Sequence, residues 1–296
     1  MALNLSHLRV FRSVLEHNSL TAAARALRIS QPAVSKQLAD LEHALGVKLV
    51  ERGTRGIRLT AAGELLGQHA RRLFNEEEAA EAALRGLLGL ELGQLSIGAS
   101  TTIGNYMVPP LFGELNRAHP GLGLRLNIAN TAAIQEQLLA GQLDLGLIEG
   151  RVTAKGLEAE VFAHDELVLI VAPAHPLTRK LGREISRRTI PELPFIMREP
   201  GSGTRDVIEQ VFAEHGLEIE PVMSLGSTEA VKNAVAAGLG VSVVSRLTVE
   251  LELTSGRLDI LSLSDLRFAR ELRLLRLPGK HLSPAALEFL RLLRAR

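Results

Sequence analysis

No cysteine occurs in the 296 residues, which excludes disulfides, cysteine-ligated zinc and thiol nucleophiles and leaves the redox compartment unmarked. Aromatic residues make up 3% of the chain and tryptophan is absent, so a stacking platform for single-stranded nucleic acid is unsupported. No uninterrupted apolar run reaches membrane-spanning length, so no membrane partner is expected. A basic-plus-apolar leader is also missing, because Asn4, Ser6 and His7 break up the first ten residues. The nine histidines are scattered without a close ligand pair, so neither a metal nor a cofactor is expected. With 46% hydrophobic residues and balanced charge, the chain reads as a soluble, cytoplasmic, globular protein with room for two or three domains.

What is present is concentrated first in Ser19 to Leu49. Ala22, Ala23, Ala24, Ala26 and Leu27 make a compact helix after Thr21, a good N-cap residue. Arg28, Ile29 and Ser30 form a turn. Ser30 can cap a second helix, whose first turn accommodates Pro32. Val34, Leu38, Leu41 and Leu45 then recur as one buried stripe. The opposite face carries Gln31, Ser35 and Lys36. A helix-turn-helix sets such residues against base edges in the major groove; an ordinary helix pair would show them to solvent.

Charge favours the first reading. Residues 1–60 hold nine Lys and Arg against four Asp and Glu, a net of +5, whereas residues 61–92 carry −3 and the remainder −1. Phosphate neutralisation needs this concentration. Leu5, Leu8, Phe11, Val14 and Leu15 form a supporting first helix. After the motif, Arg52 to Gly56 turn and Ile57 to Leu59 return, as in a wing. Arg52, Arg55 and Arg58 would reach phosphates or the minor groove from there, or be solvated hairpin charges.

Residues 5–63 resemble the winged helix-turn-helix of the LysR-type transcriptional regulators, through AAARAL, SQPAVSKQLADLE and LT-x-AG. Val50 departs from the pattern, since many members have Phe before the wing. The resemblance implies that Gln31, Pro32, Ser35 and Lys36 face double-stranded promoter DNA.

Thr60 to Leu92 is rich in Ala, Glu and Leu. Leu66, Ala70, Leu73, Ala80, Leu84 and Leu87 form a coiled-coil-like seam, interrupted by Glu77. The helix could pack on its own domain or pair with a second copy. The resemblance implies a homodimer through this helix, a homotetramer through the C-terminal domains, and RNA polymerase as a further candidate partner.

Residues 93–296 alternate short apolar runs with helical patterns. Strands are expected at 95–99, 124–128, 143–148, 167–172, 222–225 and 241–244, and helices near 104–117, 131–141, 203–215, 228–238 and 283–294. This is an α/β pattern with mainly parallel sheets, in one domain or two small ones. The family adds a two-lobed effector domain similar to periplasmic binding proteins, with crossover strands near 161–166 and 266–270. The expected fold class is therefore α+β multidomain: a winged helix-turn-helix over 1–60, a linker and dimerisation helix over 61–92, and an α/β effector domain over 93–296. Lobe 1 would comprise about 93–164 and 267–296, and lobe 2 about 165–266.

Two segments in this part carry chemistry. Ser100, Thr101 and Thr102 follow a strand and open a helix, where three hydroxyls and free N–H groups attract an anion or simply cap. Arg198 to Arg205 repeats the arrangement: Gly201 and Gly203 permit a tight curl, and Ser202 and Thr204 add donors. REPGSGTR also resembles a segment bordering the effector pocket in regulators of sulfur-oxyanion and carbon-fixation genes. Glu149 ends a third strand near the same cleft, to pair with a cation or a ligand hydroxyl, or to cap a helix. Thr228 opens a fourth helix, and several converging helix ends would form a pocket.

Enzyme motifs fail. Pro200 stands where G-x-S-x-G needs its first glycine, and Asp206 breaks G-x-G-x-x-G. His164-Asp165 reads as a crossover rather than a dyad. The sequence thus describes a non-enzymatic DNA-binding regulator that senses a small, anionic effector in the cleft of its C-terminal domain and alters promoter contacts. The alternative is a solute-binding or transport protein built on residues 93–296.

Overall fold

The computed structural model describes residues 3–53, 56–87, 93–173, 175 and 184–295. Two compact units divide between Glu81 and Ala82. In the first, α1 (Leu5–His17), α2 (Leu20–Leu27) and α3 (Gln31–Leu45) are followed by a hairpin of β1 (Val50–Gly53) and β2 (Gly56–Leu59) and by α4 (Ala61–Leu87) as far as Glu81. Val34, Leu38 and Leu41 of α3 are buried, as the stripe predicts. Ser30 caps α3 by accepting the Ala33 amide. The cap of α2 is Ser19, which accepts the Ala22 amide, and Thr21 is exposed inside the helix. Arg28 takes the left-handed conformation that closes α2, with φ of 56°.

The linker seam divides in two. Ala70 is fully buried with Leu8, Phe11, Leu38, Leu41, Leu49 and Phe74, and Leu66 packs against this cluster. Glu77 pairs with Arg9 at 2.8 Å. The first half of the seam therefore belongs to the winged unit's own core, a correction to a continuous dimer face. Leu73 and Leu84 remain 40% and 61% exposed. Leu87 keeps its place in α4, but its side chain lies outside the described residues.

The second unit is built on one mixed sheet in the order β4-β3-β5-β12-β6-β11-β7, with β10 also on β6. These strands are β3 (Gln94–Ala99), β4 (Gly123–Ile128), β5 (Leu145–Glu149), β6 (Glu158–Val171), β7 (Glu184–Ile185), β10 (Ser242–Ser245), β11 (Asp259–Leu263) and β12 (Phe268–Arg276). β8 (Ile196–Arg198) and β9 (Met223–Leu225) pair alongside. The expectation of mainly parallel sheets is corrected. β12 runs antiparallel to β5 and β6, and β10 and β11 run antiparallel to β6.

β6 and β12 are the strands that cross between lobes. Their outer halves carry the lobe 1 sheet through β5, and the other half of β6 carries β10 and β11 in lobe 2. In lobe 1, α5 (Val108–Ala118) and α10 (Pro284–Arg294) bury Leu111, Leu115, Phe289 and Leu293 against one sheet face. α6 (Thr131–Leu139) covers the other with Ile134 and Leu138. In lobe 2, α7 (Gly203–Glu214) packs Ile208 and Phe212 on one side, and α8 (Thr228–Ala236) packs Val231 and Val235 on the other. A short helix, α9 (Glu250–Thr254), follows β10. The helix expected at 104–117 begins instead as a π-turn over Ile103–Met107, a distortion frequent at functional sites.

Candidate nucleic-acid interface and interlobe cleft

On the winged unit, Gln31, Pro32, Ser35 and Lys36 occupy the first two turns of α3, with Pro32 and Lys36 exposed and Gln31 and Ser35 half-buried. The Gln31 amide donates to Ser35 Oγ at 2.9 Å, so the two polar groups hold each other in place. Arg58 is exposed on the returning hairpin strand, and Arg52 pairs with Ile57 in the ladder. Arg55 and the side chain of Arg52 lie outside the described residues. Glu42, which nothing in the sequence singles out, controls where the wing begins. Its buried carboxylate accepts the amides of Leu49 at 2.9 Å and Val50 at 3.3 Å and pairs with Lys48 at 2.6 Å. Burial alone would raise its pKa, but these bonds hold the carboxyl below its ordinary value.

In the second unit the strand ends converge between the lobes. Ser100, Thr102, Glu149, Arg198, Ser202, Thr204 and Thr228 are all buried. Arg198 of lobe 2 donates from Nη1 to Thr228 Oγ1 at 2.9 Å and from Nη2 to Thr101 Oγ1 of lobe 1 at 3.2 Å. Its Nε edge is held by Glu199 at 2.8 Å. Arg270, on the crossover strand β12, repeats this pattern. It donates to Thr204 of lobe 2 at 2.7 Å and to Thr102 of lobe 1 at 3.1 Å. Its Nε edge is held by Asp165 at 2.8 Å. Each guanidinium is thus anchored by a carboxylate on one side and turns its outer edge to one threonine from each lobe. Arg205 is turned away, toward Glu209 and the Arg198 carbonyl.

Simple capping does not account for the hydroxyls. Neither Thr102 nor Ser202 makes a side-chain cap bond, whereas Ser30, Asn130, Ser227 and Ser283 all do. Ser100 Oγ is buried with no hydrogen-bond partner, an expense of roughly 1–3 kcal/mol for a polar group. Glu149 takes two of its expected roles, accepting the Thr102 amide at 3.1 Å as a cap and pairing with the Arg270 cation at 3.9 Å. Gly203 is required by packing: a Cβ there would lie 2.0 Å from the Glu149 carbonyl oxygen. His164 is exposed while Asp165 is buried, so adjacent strand residues on opposite faces form no dyad.

Arg270 is the cleft residue that sequence reasoning missed. It lies in an unremarkable strand, FARELRLLR, and its partners are 66 to 168 residues away. Burial of the residue to 5% exposure is its only mark, and burial is not legible from the local pattern.

Comparison with known proteins places both units. Residues 5–64 match the helix-turn-helix of the family described as "Bacterial regulatory helix-turn-helix protein, lysR family", and residues 89–296 match the "LysR substrate binding domain". The chain is 40% identical over 286 residues to the RuBisCO operon transcriptional regulator of Allochromatium vinosum, spanning 97% of this chain and 94% of that protein. It is 34% identical over 271 residues to the transcriptional regulator CysL of Bacillus subtilis, spanning 92% and 90%. Among solved structures, the regulatory domain of Synechocystis PCC6803 CcmR in complex with 2-PG superposes with a TM-score of 0.63 at 32% identity, covering 69% of this chain and 96% of that one. The relatives are transcriptional regulators, and among the described residues no helix is long and apolar enough to cross a membrane. With a helix-turn-helix that reads DNA and a two-lobed domain that takes a small effector, the chain belongs to the LysR family of transcriptional regulators.

Proposed function

We propose that the cleft between the lobes takes a small effector bearing an oxyanion, and that this effector changes how the protein grips promoter DNA. The repeated threonine–arginine–threonine bridge is the observation that carries the reading. An oxyanion entering between the threonines gains charge-assisted bonds from guanidinium edges already held in place. The partnerless Ser100 hydroxyl and the uncapped start of α7 add donors. An apolar effector held by Ile103 and Met107 is disfavoured, because Ile103 is wholly buried in the lobe 1 core and Met107 packs against it. The binding residues are Ser100, Thr101, Thr102, Glu149, Arg198, Ser202, Gly203, Thr204 and Thr228, joined by Arg270. The CcmR domain bound to 2-PG supports an anionic ligand of metabolite size. The RuBisCO-operon relatives support a carbon-fixation operon among the targets.

One observation favours a second reading. Glu149, Asp165 and Glu199 outnumber the two guanidinium groups of the cleft, so the site has no excess positive charge. A neutral, hydroxyl-rich effector would also be held by this hydrogen-bond network. A ligand that binds only the native state raises its stability. Thermal shift of the full chain with phosphate, sulfate, 2-PG and neutral polyols therefore tests the first reading: anions are expected to stabilise and polyols not. The reverse result would transfer the site to neutral ligands.

For the DNA side, Gln31, Pro32, Ser35 and Lys36 read bases, and Arg52, Arg55 and Arg58 hold the backbone. The exposed Leu73 and Leu84 support a homodimer through α4, which would set two recognition helices at a fixed spacing. A tetramer, and contact with RNA polymerase at the promoter, complete the proposed assembly. A small soluble ligand and DNA as partners are those of a cytoplasmic regulator.

A further inference from the structure

A second set of polar contacts, buried at Lys232 and open to solvent at Glu229, joins the lobes away from the arginine bridges. Tyr106, on the π-turn of lobe 1, reaches into lobe 2 and donates from its hydroxyl to Glu229 Oε1 at 2.6 Å. The same hydroxyl accepts from Lys232 Nζ at 3.0 Å, and the ammonium also stands 5.6 Å from the centroid of the tyrosine ring. Lys232 is only 4% exposed in its side chain. Its ammonium is fixed from the lobe 2 side by the Thr248 carbonyl at 2.7 Å, Glu252 at 2.8 Å and Glu229 at 2.9 Å. A buried ammonium is costly unless paired. Here burial opposes the charge, and the bonds from Glu252, Tyr106 and Glu229 outweigh it, so the lysine pKa is raised. Burial and the Glu229 bond raise the Tyr106 pKa as well, so the phenol stays protonated and keeps its donor.

The asymmetry of this cluster matters. Lobe 2 holds Lys232 by ties within itself, and Tyr106 is the contribution from lobe 1 to the cluster. Tyr106 lies on the segment that continues from Thr101 and Thr102, and Glu229 is next to Thr228, so the contact spans the same gap as the effector residues. We propose that Tyr106, Glu229 and Lys232 form a lobe-to-lobe fastener that holds the effector domain closed without ligand, so that the cleft opens only when this contact releases. The energy of the fastener, added to that of the arginine bridges, then sets the population of the open form, and with it the rate at which an effector exchanges. The inference rests on the two-lobed domain and not on the charge of the effector.

The test uses the full-length protein with no ligand. The chain has one tyrosine and no tryptophan, so its intrinsic emission reports on Tyr106 alone. A phenol bonded to a carboxylate is quenched, because its excited state gives up the proton. Glu229→Gln is expected to brighten the emission. Hydrogen exchange then reads opening in the wild type, Tyr106→Phe and Glu229→Gln. A bond to a charged group is worth a factor of about ten or more. Tyr106→Phe is therefore expected to speed amide exchange about tenfold in both cleft segments, 100–104 and 202–206. Exchange in the winged unit, residues 5–59, should stay as in the wild type and serve as the folding control. Faster exchange confined to the neighbourhoods of 106 and 228–236 would make the cluster local packing and overturn the proposal. Unchanged exchange, or emission indifferent to Glu229→Gln, would overturn it too. Because no effector is present, any of these failures leaves the oxyanion reading of the cleft standing.

Discussion

Thr102 and Thr204 stand on opposite lobes and accept hydrogen bonds from the two terminal nitrogens of one guanidinium, that of Arg270, at 3.1 and 2.7 Å. The guanidinium is 1% exposed and bound to Asp165, itself held by Ser245 Oγ at 2.9 Å. A network so fully satisfied makes the relative position of the two lobes sensitive to any one hydroxyl.

Thr102→Val and Thr204→Val each remove a hydroxyl while nearly keeping shape. Each strands one N–H of a buried cation, so a loss of about 1.5–3 kcal/mol is expected for the effector domain in denaturant unfolding. Arg270→Gln leaves Asp165 buried without its counter-charge and is expected to cost about 3–5 kcal/mol. Calorimetry on an anion found by thermal shift should show weaker binding in both threonine variants. Equal affinity in both would mean that the oxyanion pocket is misplaced.

On the recognition helix, Gln31→Ala and Ser35→Ala should each weaken specific binding by about 1–3 kcal/mol if each removes a good base contact. Because Gln31 and Ser35 are bonded to each other, the double variant should lose less than the sum of the singles. Footprinting on the operator measures this. Wild-type protection by both single variants would sink the assignment. Arg58→Ala should instead weaken binding to all sequences and lower the salt dependence.

The split seam of α4 separates two outcomes. Leu73→Glu and Leu84→Glu alter exposed positions, so the winged unit should stay folded while the oligomer falls apart in sedimentation. Ala70→Glu forces a charge into the winged unit's own core and should unfold it. An unchanged oligomer in both leucine variants would place the dimer contact elsewhere.

Glu42 makes the wing sensitive to acid. Its pKa is lowered in the folded chain, so its contribution is fully present above the ordinary value of 4.5 and is lost as pH falls through the depressed one. Glu42→Gln should cost about 1–3 kcal/mol at neutral pH and flatten the acid dependence of the winged unit. Amide exchange of Leu49 and Val50, followed from about pH 5 down to about pH 2, reads the effect directly. An acid dependence identical to the wild type would remove Glu42 from this role.

The chain alone determined what depends on near neighbours. The stripe of Val34, Leu38 and Leu41, the cap at Ser30, and the glycines and hydroxyls of Gly201 to Thr204 are local signals, because helix period, capping and φ preference act within a few residues. These sufficed for a winged unit followed by an α/β domain. Whether β12 runs parallel or antiparallel to its neighbours leaves no period in the sequence, since both give alternating or apolar strands. Which side of α4 is covered depended on Phe11 and Leu49, far away in the chain and close only after folding. Tertiary structure alone set Arg270 between Thr102 and Thr204, and Tyr106 beside Lys232. A buried cation is stable only where distant chain segments supply its acceptors, and that supply is a property of the assembled lobes rather than of any stretch of residues.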